Sequence, residues 1–182
     1  VTSGTGSGKS LTFLATIYNE VLKQGASKVK GIKAILVYPM NALINSQEEE
    51  IRKYSNRYEK STNKDFPISF AKYTGQEGAA EREKVRKTEP DIILTNYMML
   101  ELLMTRRSEA WFRESIKENL SYLVYDELHT YRGRQGADVS LLNRRVQALA
   151  KKELVMIGTS ATMASKGSPI EKKMEVAKVA ET

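Results

Sequence analysis

The sequence contains no cysteine and no long apolar run, and each absence excludes a class of protein. Without cysteine there is neither a disulfide framework nor a thiolate metal site. The longest mainly apolar stretch runs from Ile92 to Met104, is interrupted by Thr95, Asn96 and Glu101, and is too short to span a bilayer. Nothing resembles a secretory signal. We therefore expect a reducing, cytoplasmic setting and no membrane partner.

Length and composition fit one globular domain, and the charge balance is compatible with a polyanionic partner. The 182 residues, 41% of them hydrophobic, suffice for a substantial core. Lys and Arg number 29 against 22 for Asp and Glu, a balance compatible with binding a polyanion. The chain opens at Val1 and meets a glycine-rich loop at once. We expect a domain over residues 1–168 that lacks its first strand upstream of Val1, followed by a helix or linker over 169–182.

Short apolar runs alternate with segments of helical periodicity along most of the chain. This alternation predicts an α/β fold with a mostly parallel sheet and helices on both faces. In such sheets, ligands bind beyond the carboxyl ends of the strands. The polar stretch 55–65 is the best loop candidate. The predicted strands are 34–38, 68–72, 91–94, 122–125 and 154–157, and the predicted helices are about 9–24, 42–54, 79–87, 98–104, 109–119 and 135–152.

A glycine-rich loop followed by Lys-Ser and an apolar helix begins the chain. Backbone N–H groups of such a loop cradle phosphates, its lysine reaches the β- and γ-phosphates, and its Ser hydroxyl binds Mg²⁺. The strict pattern has glycine at the first position, where this chain has serine. The alternative is a simple turn before a helix, which the Gly-Lys-Ser ending disfavours. The predicted phosphate-binding residues are Ser3, Gly4, Thr5, Gly6, Ser7, Gly8, Lys9 and Ser10.

An acidic pair, Asp126-Glu127, ends the apolar run 122–125, and Ser160-Ala161-Thr162 follows the next run. In nucleotide hydrolases an aspartate at such a strand end holds Mg²⁺, and a neighbouring glutamate can orient the attacking water. Acidic pairs at strand ends are also common as solvated turn residues. The phosphate loop upstream favours the nucleotide-binding interpretation.

These motifs, in this order, resemble those of superfamily 2 helicases of the DEAD/DEAH-box type. The similarity is to their first RecA-like lobe, a P-loop NTPase fold. Its further elements are the segment from Pro39 to Gln47, Tyr73-Thr74-Gly75, Thr95-Asn96 and the tetrad Asp126-Glu127-Leu128-His129. The continuation of the tetrad to Gly133 most resembles the Hrq-type, RecQ4-like helicases of bacteria and archaea, which often carry a further C-terminal domain.

The resemblance implies roles at an ATP site. Lys9, Asp126 and Glu127 are the expected catalytic residues, and Ser10 with Asp126 is expected to bind Mg²⁺. His129, Ser160 and Thr162 are expected to couple the site to the rest of the lobe. Without the neighbouring acidic pair, this single histidine would be read as an ordinary packed or surface residue.

The resemblance also implies contacts with nucleic-acid phosphates, made by backbone N–H groups and small polar side chains. Met40-Asn41 replaces the hydroxyl and cation usual after the proline, so positive charge is lost there. The residues expected to contact nucleic acid are Pro39, Asn41, Thr74, Gly75, Thr95 and Asn96.

The sequence thus predicts the N-terminal ATP-binding lobe of a helicase or translocase. Its expected partners are nucleic acid, with DNA favoured over RNA, and a second RecA-like lobe of the same polypeptide. Its expected cofactors are ATP and Mg²⁺. Two alternatives stay open at this stage: an RNA helicase, and a nucleotide-binding regulatory module without turnover. A transporter ATPase is disfavoured because no Leu-Ser-Gly-Gly-Gln segment is present.

Overall fold

The computed structural model describes residues 9–25 and 29–160, and only the backbone of Lys9. Predicted residues Ser3 to Gly8, Thr162 and the segment 169–182 lie outside this part. Among the described residues, no helix is both long and apolar enough to cross a membrane.

Five strands and six α-helices alternate along the described part of the chain, as the periodicity predicts. Short 3₁₀ turns at Arg107–Glu109 and Leu128–Thr130 complete the described elements. The strands are β1 (Ala34–Tyr38), β2 (Phe70–Lys72), β3 (Ile92–Asn96), β4 (Tyr122–Tyr125) and β5 (Val155–Gly158). The helices are α1 (Lys9–Lys23), α2 (Asn41–Thr62), α3 (Ala79–Thr88), α4 (Tyr97–Thr105), α5 (Ala110–Asn119) and α6 (Arg134–Leu149).

All neighbouring strands are parallel, and their order across the sheet is β2-β3-β1-β4-β5. In the centre, Tyr38 of β1 is in register with Asn96 of β3, and Val37 is in register with Tyr125 of β4. Because every strand runs the same way, the residues that follow the strands all emerge at one edge. The prediction of a parallel α/β sheet is confirmed.

Two hydrophobic cores, one on each face, enclose the sheet. Side chains of β1 alternate between them: Ile35 packs with residues of α4, α5 and α6, whereas Leu36 packs with residues of α1 and α2. All five residues of β1 are buried, as expected for a central strand covered by helices on both sides.

Helix α2 is longer than the sequence predicts, and the predicted loop over 55–65 is wrong. The helix continues to Thr62 and ends at Asn63, whose backbone is left-handed (φ 54°). Tyr58 makes an edge-to-face contact with Phe66, with ring centroids 5.7 Å apart. Ser55 donates to Glu59 one turn later, at 3.3 Å. These local contacts stabilise a segment whose polar composition resembles a loop.

Candidate nucleotide and nucleic-acid site

The acidic pair emerges from β4 at the carboxyl edge, beside the end of β5. The backbone N–H of Asp126 donates to the Val37 carbonyl (2.9 Å), which continues the ladder one residue past β4. Glu127 then adopts left-handed backbone angles, φ 50° and ψ 49°. Such a conformation is unfavourable for a residue with a Cβ and is commonly found at functional sites. Here it turns the chain sharply into the 3₁₀ turn Leu128–Thr130.

Close packing holds this turn on the end of β5. The Leu128 N–H donates to the Thr159 carbonyl at 2.7 Å. A Cβ added at Gly158 would lie 2.7 Å from Leu128 Cδ2, a distance that ordinary packing does not allow. Glycine at the last position of β5 therefore lets the Leu128 side chain pack against the end of that strand.

Side chains of the two loops are joined by hydrogen bonds. The Thr159 hydroxyl donates to the Asp126 carboxylate. His129 Nδ1 lies 3.0 Å from Ser160 Oγ and 3.2 Å from Glu127 Oε2. The structure thus brings together four predicted residues, Asp126, Glu127, His129 and Ser160. Thr159 was missed by the sequence reasoning, although its hydroxyl directly precedes the predicted Ser160.

The donor set suits Mg²⁺ bound with a nucleotide. Asp126 keeps a partly exposed carboxylate at the strand end, and Ser10 lies in the first turn of α1. Mg²⁺ in nucleotide sites takes one or two protein oxygens and completes its shell with phosphates and water. The described residues include no cluster of three or more acidic, His or Cys groups that could hold a metal unaided. Ser10 and Asp126 are therefore a fitting pair only with phosphate present.

On the other half of the carboxyl edge, an amide pair joins the residues that follow β1 and β3. Asn96 caps α4, because its Oδ1 accepts from the Met99 N–H at 2.8 Å. Its Nδ2 consequently points away from that cap and donates to Asn41 Oδ1, also at 2.8 Å. This leaves the Asn41 amide nitrogen as a donor beside the exposed Met40 and the half-buried Pro39.

The turn after β2 carries Thr74 and Gly75. Gly75 has φ +88°, which favours glycine. The Glu77 carboxylate accepts from the Thr74 N–H (2.8 Å), the Thr74 hydroxyl (2.7 Å) and the Gly75 N–H (2.9 Å). Burial alone would raise the pKa of Glu77, but these hydrogen bonds outweigh it and lower the pKa. Sequence reasoning did not select Glu77, and its only signal was a position two residues after Gly75.

Thr95 differs from the other predicted nucleic-acid residues, because its side chain is fully buried. Its hydroxyl donates to the Tyr73 carbonyl at 2.7 Å. Because the Thr95 side chain is fully buried, it cannot contact nucleic acid directly in this structure, contrary to the prediction for that side chain. Thr95 instead fixes Tyr73, the residue that follows β2 and leads into the Thr74–Gly75 turn. The other five residues stay predictions, each at the carboxyl edge and at least partly exposed.

The buried carboxylate of Glu109 also supports this turn, through the residue that precedes it, Tyr73. Glu109 accepts from the Tyr73 hydroxyl (3.2 Å), from the Trp111 indole N–H (2.8 Å) and from Arg86 of α3 (2.8 Å). Its three donors come from different parts of the chain, and the sequence contains no motif that singles it out.

Comparison with known proteins agrees with this arrangement. The DEAD/DEAH box helicase family matches residues 1–168. The chain is 32% identical over 168 residues to the uncharacterized ATP-dependent helicase MJ1574 of Methanocaldococcus jannaschii, covering 90% of this chain and 23% of that protein. It is 33% identical over 164 residues to the uncharacterized ATP-dependent helicase YprA of Bacillus subtilis, covering 88% and 20%.

Solved structures show the same fold. The DUF1998 helicase MrfA bound to DNA and AMPPNP matches with a TM-score of 0.71 at 27% identity, covering 97% of this chain and 23% of that one. The helicase Lhr of Mycobacterium smegmatis, bound to ssDNA and AMP-PNP, matches with a TM-score of 0.74 at 25% identity, covering 98% and 22%. The chain thus spans about a fifth of the length of these relatives. It belongs to the DEAD/DEAH box helicase family and has the fold of that family's first RecA-like lobe.

Proposed function

We propose that this chain is the ATP-binding lobe of a DNA helicase or translocase in which ATP hydrolysis drives strand movement. The linked loops after β4 and β5 are the observation that carries the proposal. Through them, the Glu127 carboxylate, to which we assign the orientation of the attacking water, is joined by His129 to Ser160 of the neighbouring loop. A change at the nucleotide could therefore be passed from one loop to the next.

The roles follow from the chemistry of each group. Lys9 neutralises phosphate charge, Asp126 and Ser10 hold Mg²⁺, and Glu127 accepts a proton from the attacking water. When bound, Mg²⁺ would supply positive charge to the β- and γ-phosphate oxygens. Residues Ser3 to Gly8 would cradle the phosphates, and Thr162 would act with His129 and Ser160 in coupling.

DNA is the proposed polymer, because two related structures of 25% identity or more contain DNA or ssDNA. Pro39, Asn41, Thr74, Gly75 and Asn96 would contact its phosphates at the half of the edge formed by β2, β3 and β1. We place the protein in the cytoplasm.

A second RecA-like lobe would close over the nucleotide and complete the site. The proposed domain covers residues 1–168 with a further strand upstream of Val1, and residues 169–182 lead towards the second lobe. The small share of the relatives that this chain spans supports this organisation.

Steady-state ATP hydrolysis by the full-length protein tests the proposal. It should be measured without polymer and with single-stranded DNA, duplex DNA or RNA. We expect DNA to stimulate turnover and Glu127→Gln to reduce it at least about a hundredfold, the scale of losing a general base. Glu118→Gln, at an exposed carboxylate of α5, is the matched control. ATP binding without polymer-stimulated turnover would point to a regulatory module, and stimulation by RNA alone to an RNA helicase.

A further inference from the structure

The Thr74–Gly75 turn binds an anionic group of the same chain, the Glu77 carboxylate. All three of its donors, two N–H groups and one hydroxyl, point to the Glu77 carboxylate at 2.7–2.9 Å. Glu77 is only 8% exposed, although Gly75 and Gln76 beside it are exposed. The carboxylate therefore lies within the turn and not in solvent above it.

The turn itself is firmly anchored. Thr95 binds the Tyr73 carbonyl, the Tyr73 N–H donates to the Leu94 carbonyl at 2.9 Å, and the Tyr73 hydroxyl donates to buried Glu109. Successive N–H groups held in this way form a concave site for anions. Since the anchors act on Tyr73 and not on Glu77, the turn has support that does not depend on the carboxylate.

The same donors are suited to nucleic-acid phosphate. Backbone N–H groups and small hydroxyls are common phosphate ligands, and a carboxylate presents two anionic oxygens much as a phosphate does. Two anions cannot share three donors at this distance, because they would repel each other in a site that is largely shielded from water. A phosphate that reaches Thr74 and Gly75 must displace Glu77.

We propose that Glu77 is an internal competitor for nucleic-acid phosphate, which occupies the Thr74–Gly75 turn in the free protein and is displaced when the strand binds. This inference rests on the proposed function, since it assumes a nucleic-acid strand at this edge. Its consequence is that the carboxylate weakens binding of nucleic acid at the turn that it occupies.

DNA-binding affinity of the full-length protein tests this proposal. Fluorescence anisotropy with a labelled single-stranded oligonucleotide should compare the wild type with Glu77→Gln and Glu77→Ala. The matched control is Glu81→Gln, which removes the same charge from an exposed position in the first turn of α3. Thermal unfolding identifies any variant that fails to fold; if Glu77→Ala does, Glu77→Gln carries the test, because its amide oxygen can still accept from the turn.

We expect both Glu77 variants to bind DNA more tightly, by a factor on the order of three to ten, because alanine frees the donors of the turn and glutamine holds them only with a neutral oxygen, a weaker acceptor than a carboxylate. Glu81→Gln should change affinity by less than about twofold, because an exposed charge has a small effect. Folded Glu77 variants that bind DNA no better than Glu81→Gln would overturn the proposal, and the helicase assignment would stand. A wild-type protein that binds no DNA would overturn the proposed function, and this inference with it.

Discussion

Charged groups are buried and paired at the amino end of the sheet, whereas those at the carboxyl end are mostly half-buried. At the amino end, Lys33 and Asp91 form a buried ion pair at 2.7 Å, with side chains 1% and 2% exposed. Lys33 also donates to the carbonyls of Val29 and Gly31, and Asp91 accepts from the N–H and hydroxyl of Ser69. The charged groups at this end are therefore buried and already bound to other residues of the protein.

At the carboxyl end, the charged and polar groups are mostly half-buried, and several keep a face towards solvent. Asp126, Glu127, His129 and Asn96 all have intermediate exposure. The comparison teaches that the amino end contributes stability, whereas the carboxyl end keeps its polar groups available to ligands. Changes at the two ends should therefore alter different properties.

Lys33→Met should have the largest effect on stability. It leaves Asp91 charged, buried and without its cation, which costs about 3–5 kcal/mol. Denaturant unfolding measures this loss, and Lys30→Met, at a nearby exposed lysine, is the control. If Lys33→Met lowers the free energy of unfolding no more than Lys30→Met does, the buried ion pair does not stabilise the amino end of the sheet.

Thr95→Val sharpens the comparison, because Thr95 lies at the carboxyl end but is fully buried. Without the hydroxyl, the Tyr73 carbonyl loses its donor, and we expect a loss of about 1–3 kcal/mol in the free energy of unfolding. Thr74→Val removes a hydroxyl one residue after Tyr73 and serves as the partly exposed counterpart. If Thr95→Val changes DNA affinity without changing stability, the assignment of Thr95 as a positioning residue is wrong.

Ser160→Ala removes the hydroxyl beside His129 and should alter coupling more than stability. We expect DNA-stimulated ATP turnover to fall by up to about tenfold, the scale of one hydrogen bond, while ATP binding is retained. Parallel measurements of nucleotide affinity and stimulated turnover separate the two properties. Equal loss of both would indicate that Ser160 shapes the nucleotide site itself. Ser140→Ala, on α6, is a suitable control.

Glu77→Gln should produce the smallest change in stability, on the order of 1 kcal/mol at neutral pH. The folded-state pKa of Glu77 is lowered, so its contribution is fully present above its ordinary pKa of 4.5 and is lost as pH falls through the lower folded value. Thermal unfolding of wild type and variant should therefore converge in acid. A gap that persists at low pH would mean that the ionised carboxylate does not stabilise the turn.

Local chemistry made much of the carboxyl edge predictable. Asp126 and Glu127 follow an apolar run, as does Ser160, and parallel strands bring such positions to one edge. The burial of Thr95 was not predictable in this way. Its neighbour Asn96 belongs to the same motif, and successive side chains of a strand point to opposite faces. Whether such a side chain is buried depends on what packs against it, and Thr95 meets the Tyr73 carbonyl, 22 residues away in sequence.

The course of α2 shows the same limit at the level of secondary structure. The sequence from Ser55 onwards is rich in polar and charged residues, which is typical of loops as well as exposed helices. The helix is extended by contacts such as Tyr58 with Phe66, which exist only after the chain turns back at Asn63. A pattern read along the chain contains no information on that turn's direction.

By itself, the sequence determined the type of sheet, the family and the residues placed at the strand ends, because periodicity and motif chemistry act over short distances. Only the tertiary structure decided the strand order β2-β3-β1-β4-β5, which separates the Asn41–Asn96 pair from the His129–Ser160 pair. It also decided that Lys33 meets Asp91 and that Glu77 fills the Thr74–Gly75 turn. The physical reason is that burial and hydrogen bonding depend on which segments pack together, and packing joins residues far apart in the chain.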